Sequence, residues 1–352
     1  MSRWTTEARH DREVFAELAG WWDNQLAARS NPFLSSAVLG CWEDGFDEPG
    51  SRLNVLLLHR DGDLVAALPL YRARGRLRSL SRAHSEPFDV VGGDDEEVAV
   101  HLPTWLNSTT MTHLYRVAES SAIMSALPDQ ARWLVQTTFN SPYVDLSSGM
   151  DRVRAGMSKD FQRTLRRRRR RLEEMGSLEV VEIGSAGPPH DLLDAGLALE
   201  AVGWKGQRGH AVLNEPTHER WYRSITEVAQ DRGWLRLCGL YLDGRLLAFR
   251  YDLEVGATRW GMLSAFDESP DVASLSPGTL LLESILEACA TNGLGRYEFG
   301  SGNDQWKYEW APEVRQVHDL LLFGSGPIGW SLHAWKTRSI RVPPQKMGRP
   351  AH

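Results

Sequence analysis

The sequence predicts an α+β layer fold, a mixed sheet with helices on both faces, repeated in two halves. Three observations predict it. Arg60 to Tyr71 (RDGDLVAALPLY) aligns with Leu242 to Leu253 (LDGRLLAFRYDL), sharing Asp-Gly and then Leu-(Val/Leu)-Ala. Each copy sits in the same order of elements: helix, helix, three strands, helix, strand, strand. Finally, 352 residues is long for one hydrophobic core. The expected division is 1–150, 151–325 and a basic, Pro-containing tail, 326–352.

The elements follow in order. Asp11 to Arg29 places Phe15, Leu18, Trp22 and Leu26 in a helical rhythm, which Asn31-Pro32 ends. Phe33 to Phe46 reads as a second helix, N-capped by Ser35 or Ser36. Leu53 to His59 and Leu64 to Tyr71 are strands around Asp61-Gly62, a hairpin signal. Arg72 to Ser85 continues the sheet, Asp94 to Leu106 reads as a helix and Thr112 to Val117 as a strand. Pro142 to Ser158 looks like the crossover between halves. Further on, Leu192 to Val202 and Glu215 to Arg232 are helices. Leu235 to Leu242 and Leu246 to Leu253 form a hairpin around Asp243-Gly244, and Thr258 to Phe266 is a third strand. Val317 to Phe323 is the last apolar strand, and Trp330 to Arg338 a terminal helix before a disordered end.

Composition narrows the function. A net charge of −6 gives no overall bias toward nucleic acid or anionic lipid. Three cysteines far apart support neither a disulfide framework nor a zinc site and fit a reducing cytoplasm. The charged N-terminus lacks an apolar signal core, and no apolar run is long enough to span a bilayer. No serine nucleophile elbow, Walker loop or His-rich metal pattern is visible, so no metal is expected.

Two stretches carry chemistry. In Leu275 to Trp310, Ser276 reads as an N-cap and Pro277 as the first helical residue. Leu281, Leu282, Ile285, Leu286 and Cys289 mark the buried helix face, and Asn292-Gly293 ends it. Arg296 to Phe299 is a short strand that Gly300 to Gly302 breaks. The first helical turn presents unpaired N–H groups, and Gly278 permits close approach, which suits a phosphate at Ser276, Pro277, Gly278 and Thr279. The same residues also read as an ordinary helix start. The second stretch is the arginine run: Arg163 and Arg166 to Arg171 give seven arginines in nine residues. On one helix they make a patch able to hold phosphates, with Arg166, Arg167 and Arg170 as candidates, or a solvated face. Duplex recognition fits poorly with an acidic chain.

These residues resemble a known family. The arginine run, Trp204-Lys205, Asp243-Gly244 with Ala248, Ser276-Pro277-Gly278, and Phe299-Gly300-Ser301-Gly302 through Lys307-Tyr308 to Trp310 are similar to the GNAT acyltransferase superfamily. The nearest branch is the CelD-type acetyltransferase domains, related to the Fem peptidyltransferases. The resemblance runs from about Pro32 to Phe323 and implies tandem GNAT-like domains with the active site in the second. It implies acyl-CoA, acetyl-CoA first, as donor and a small-molecule, sugar or natural-product amine as acceptor. The pyrophosphate loop departs from the usual pattern, with one glycine and a proline in Ser274 to Thr279. The Fem branch takes aminoacyl groups from tRNA, which the arginine helix also suits. A non-catalytic subunit in polysaccharide synthesis is the third expectation.

In a GNAT-like fold the donor lies between two splayed strands, here Thr258 to Phe266 and Arg296 to Phe299. The resemblance then gives Lys307 as a ligand for an acceptor anion or for the oxyanion, against a reading as a surface lysine, and Tyr308 as acid for the leaving thiolate or as a packing residue. Asp304 and Glu298 are candidate bases. Glu298, if buried, carries a raised pKa. Arg250 and Asp252 share one face of a strand, lining an acceptor cleft or pairing with each other. Trp204-Lys205 sits in a Gly-rich loop suited to a lid. Trp310 is a substrate candidate that also reads as packing.

Overall fold

Both Asp-Gly pairs turn tight hairpins. Asp61 and Asp243 have φ of 55° and 48°, and Gly62 and Gly244 follow at 97° and 81°. Two consecutive left-handed residues match the right-handed twist of the flanking strands. This computed structural model describes residues 2–26, 30–45, 50–81, 84–93, 97–98, 101, 110–127, 132–184, 186–310 and 313–339.

The strands are β1 (Trp4–Arg9), β2 (Arg52–Arg60), β3 (Asp63–Ala73), β4 (Arg76–Ser79), β5 (Val91–Gly92), β6 (Met111–Ala118), β7 (Arg132–Asp145), β8 (Leu178–Gly184), β9 (Leu235–Leu242), β10 (Arg245–Val255), β11 (Thr258–Phe266), β12 (Arg296–Glu298) and β13 (Glu313–Phe323). They form one mixed sheet in the order β1-β2-β3-β4-β6-β13-β7-β12-β11-β10-β9-β8, with β5 against β3. The repeat is visible in this order. Each half is an antiparallel run of four strands followed by a parallel fifth: β4 beside β6, and β11 beside β12. The last strand of each half then joins the other half. β7 pairs antiparallel with β12, and β13 pairs antiparallel with β6. β7 and β13 also pair with each other along their length.

Helices cover the sheet as the apolar periodicities require. Helix Pro277–Thr291 buries Leu281, Leu282, Ile285, Leu286 and Cys289 against β9, β10 and Tyr297. The arginine helix, Lys159–Met175, joins the same core through Leu165 and Leu172. Helices His190–Val202 and Pro216–Asp231 cover the opposite face with Leu197, Trp221, Tyr222 and Ile225. Gly196 lets the first of these sit down on Phe249, because a β carbon there would lie 2.3 Å from the ring. A separate core in the first half gathers Trp22, Leu58, Leu68, Leu70 and Leu114.

Several expectations change. Pro142 to Ser158 leads into the second half as structured chain: its first residues end β7 against β12, and Met150–Gly156 is a helix of the second core. Phe33 to Phe46 breaks into a 3-10 turn, Pro32–Leu34, and short helices Ser36–Gly40 and Trp42–Gly45; the Ser35 side chain caps the first by accepting from the Val38 N–H. Ser276 occupies the N-cap position but is left-handed, φ 50°, and its side chain makes no capping bond. The edge strands β1 and β8 went unread because their residues are largely exposed and lack a clean alternation. Most of Asp94 to Leu106, and the tail from 340, lie outside the described residues. No helix among the described residues is long and apolar enough to cross a membrane.

Candidate active site

β11 and β12 run parallel for only three residue pairs, Thr258 with Arg296, Arg259 with Tyr297 and Trp260 with Glu298. Beyond them Gly300, at φ 69°, turns the chain away, while β11 continues against β10 to Phe266. A V-shaped gap opens between the two strands. At its apex the register of β11 against β10 skips Met262, a bulge that re-aims the strand. Gly261 is required there: a β carbon would sit 2.7 Å from the Tyr297 hydroxyl and 3.0 Å from Arg250 Nη2.

The gap opens into a cavity of about 390 Å³. Five of the residues expected at a site line it: Trp204, Lys205, Arg250, Asp304 and Lys307. Lys205 Nζ donates to Glu200 Oε1 and to the Ser264 carbonyl, both at 3.0 Å. Glu200 also accepts from the Val212 N–H at 2.9 Å, so one buried carboxylate fixes both the lysine and the following turn. Trp204 and Lys205 belong to a short helix, Trp204–Gln207, whose first N–H donates to Glu268 Oε1 at 2.9 Å.

Lys307 is 5 % exposed. Its ammonium donates to the Ser301 carbonyl at 3.1 Å and lies 3.3 Å from Asp304 Oδ2. Burial lowers its pKa, and Asp304 opposes that shift. Lys307 also lines an adjoining cavity of about 170 Å³ that reaches His84 and Glu86 of the first half. Glu86 accepts from the Ser301 N–H and lies 2.9 Å from Arg116 Nε. Burial raises its pKa, with Ser301 and Arg116 opposing. Glu86 thus ties the first half to the turn that carries Lys307.

The other candidates lie elsewhere. Glu298 is buried, and burial raises its pKa, but its carboxylate faces Arg315 at 3.0 Å and Arg296 at 3.6 Å, away from the cavity lining. The Tyr308 hydroxyl accepts from Asn140 Nδ2 at 3.1 Å and contacts Asn303 at 3.3 Å. Trp310 is a core residue, packed edge-on against Phe161 with centroids 5.0 Å apart. Asp252 is fully buried behind Arg250, accepting from Arg259 Nε at 2.9 Å and from the Tyr297 hydroxyl at 3.0 Å.

Ser276, Pro277, Gly278 and Thr279 open the helix that follows β11. The Thr279 N–H donates to the Ser276 carbonyl at 3.0 Å, while no described residue accepts from the Gly278 N–H. The arginine helix packs alongside. Arg169 fastens it, donating to Glu283 at 2.9 Å and to the Leu280 carbonyl at 3.2 Å. Arg166 and Arg167 are exposed, as is Arg170, which pairs with Glu174.

Sequence reasoning missed Gly261 and Glu86. A lone glycine inside the strand TRWGMLSAF was a legible sign of a bulge or close approach. Nothing local marks Glu86, whose partners are 215 and 30 residues away in sequence.

Comparison with known proteins places this fold. Residues 159–308 match the model of the acetyltransferase (GNAT) domain. Similar solved structures include FemX (TM-score 0.57, 10 % identity, covering 84 % of this chain and 92 % of that one). Another is the C-terminal domain of a putative lysylphosphatidylglycerol synthetase from Agrobacterium fabrum (0.56, 14 %, 92 % and 96 %). A third is a tandem GNAT protein from the clavulanic acid biosynthesis pathway (0.50, 14 %, 92 % and 100 %). No curated protein sequence matches the chain. Residues 159–308 therefore match a GNAT acetyltransferase domain, and the chain has a fold shared with tandem GNAT and Fem-type structures.

Proposed function

We propose that the protein transfers an acyl group from acyl-CoA to the amine of a small-molecule, sugar or natural-product acceptor. The observation that carries this reading is the gap between β11 and β12, with Lys307 and Asp304 at one wall and the start of helix Pro277–Thr291 beyond its open end. The donor phosphates rest at Ser276 to Thr279, with Arg166, Arg167 and Arg170 as counter-charges. The thioester lies in the gap. The acceptor enters past Trp204 and Lys205.

Chemically, the amine attacks the thioester carbonyl, a C–N bond forms, the C–S bond breaks and the thiol of CoA leaves. Lys307 supplies positive charge for the developing oxyanion, and the free edge of β11 supplies backbone N–H donors. Asp304, at 3.3 Å from Lys307 and open to solvent, takes the amine proton. Three cysteines, all buried and none in a disulfide, support a reducing, cytoplasmic setting. They are no nucleophiles in this scheme, since burial pushes the Cys289 thiol up to about 12.

The test is calorimetric titration with acetyl-CoA, followed by thiol release in the presence of an amine panel. Saturable acetyl-CoA binding and amine-dependent thiol release are expected. Binding of charged tRNA with no response to any CoA thioester would replace this reading with a Fem-like, aminoacyl-tRNA-dependent one.

A further inference from the structure

Three cationic side chains, Lys205, Arg250 and Lys307, line the cavity at the gap, and they are not equivalent. Lys205 and Lys307 each hold a carboxylate, Glu200 at 3.0 Å and Asp304 at 3.3 Å. Arg250 is different. It is 5 % exposed and sits at the apex of the gap, with Gly261 leaving room for its Nη2. Its Nε donates to the Tyr297 hydroxyl at 3.1 Å and lies 3.8 Å from Asp252 Oδ1. No described residue accepts from either Nη group. Asp252 meets this charge only on the Nε side, at 3.8 Å, and its other oxygen holds Arg259 and Tyr297, so the two Nη groups keep no carboxylate of their own among the described residues. Trp306 stands over the guanidinium at 5.8 Å and closes the apolar side.

A buried guanidinium with a free fork is costly unless a matching anion completes it. The fork fits a carboxylate through two parallel hydrogen bonds, a pairing that is strong and specific. Tyr297, Asp252 and Gly261 fix the guanidinium in place before any ligand arrives.

We infer that Arg250 forms a carboxylate subsite, so that one of the two substrates of the proposed transfer carries a carboxylate beside the reacting centre. The inference rests on the acyl-transfer reading and narrows it. The carboxylate has two possible sources. It belongs to the acceptor, as in an amino acid, or to the acyl group, as in a dicarboxylic monothioester.

Two matched pairs of ligands decide between the sources. One pair is succinyl-CoA against butyryl-CoA; the other is an N-acetylated amino acid against its primary amide. Dissociation constants are measured for the wild-type chain, R250K and R250Q, with circular dichroism as a folding control. In one pair the wild type binds the carboxylate at least tenfold more tightly than its neutral partner. R250Q abolishes that preference, and R250K retains part of it, which also shows that the pocket survives substitution. Preference in the CoA pair assigns the carboxylate to the acyl group; preference in the other pair assigns it to the acceptor. Equal affinity within both pairs, a preference that survives R250Q, or no binding of either carboxylate overturns the inference. Binding of butyryl-CoA by the wild type reports separately on the acyl-transfer reading, which stands or falls on that result.

Discussion

The second strand of the repeated hairpin has the same place in both halves and opposite contents. Aligned on their Asp-Gly turns, Leu68 of β3 corresponds to Arg250 of β10, and Leu70 corresponds to Asp252. All four side chains are buried. In the first half the pair is ordinary core, packed with Leu58, Trp22 and Leu114. In the second it is an ion pair tied to Arg259 and Tyr297 and opening on the cavity. The difference teaches that the backbone plan holds with either filling. The fold comes from turns and periodicity, and the site comes from replacing two leucines by a braced arginine.

Exchanging the fillings is the strongest way to break this comparison. D252L leaves Arg250 and Arg259 without their shared carboxylate. It should lower unfolding stability by about 3–5 kcal/mol, as removal of one partner from a buried pair does. L70A, at the matching position, should cost about 2–5 kcal/mol through a cavity alone. D252N separates the two mechanisms in urea unfolding: it keeps the side-chain volume and removes the charge, so it retains most of the D252L deficit, which a cavity alone does not predict. If D252L proves as stable as the wild type, the bracing network is not what holds Arg250.

Much of this was legible in the sequence. The Asp-Gly hairpins, the helix from Pro277 to Thr291 and the third strand of each half follow from turn chemistry and apolar spacing. The strand exchange was not legible, because β7 and β13 alternate no differently from strands that stay within their own half. Among site residues, Arg250, Lys307, Asp304, Trp204 and Lys205 were readable and do meet at one cavity. Tyr308 and Trp310 lie beside Lys307 in sequence but face other neighbours, since a four-residue helix, Gln305–Tyr308, points its side chains around a full turn. Glu86 stayed hidden because it reaches the site only through long-range pairing of the halves.

Lys307 lines the cavity and holds no core contact of the first half, so its substitution should affect rate far more than stability. K307A is expected to lower kcat/KM about 100-fold, or ~2.7 kcal/mol of transition-state stabilisation. The pH profile sharpens this. Burial lowers the lysine pKa below its ordinary 10.5, so activity falls as pH rises through that lowered value. K307R, which stays charged, should hold its residual activity to higher pH. An unchanged alkaline limb in K307R would remove Lys307 from the charged machinery.

The arginine helix makes a smaller, separable contribution. Gln at Arg166, Arg167 and Arg170 together should weaken acyl-CoA binding about tenfold at low salt and flatten its salt dependence. Thermal stability should hardly change, because these side chains are exposed. Equal salt slopes in variant and wild type would detach the helix from the donor.

The smallest effect concerns the tie between halves. Glu86 has a raised pKa in the folded protein, so it favours folding most below its unfolded value, near 4.5, and less as pH rises through the folded value. E86Q should keep the Ser301 hydrogen bond and flatten that decline, by at most about 1.4 kcal/mol per pH unit. A decline as steep in E86Q as in the wild type would assign it to other groups.

The central claim is that the gap between β11 and β12 receives the donor. Hydrogen–deuterium exchange with and without saturating acetyl-CoA tests it most directly. The account predicts added protection at residues 261–266, 276–282 and 299–307, with little change in the hairpin of β2 and β3. Acetyl-CoA binding that leaves those three segments unprotected, or that protects the first half instead, would contradict it.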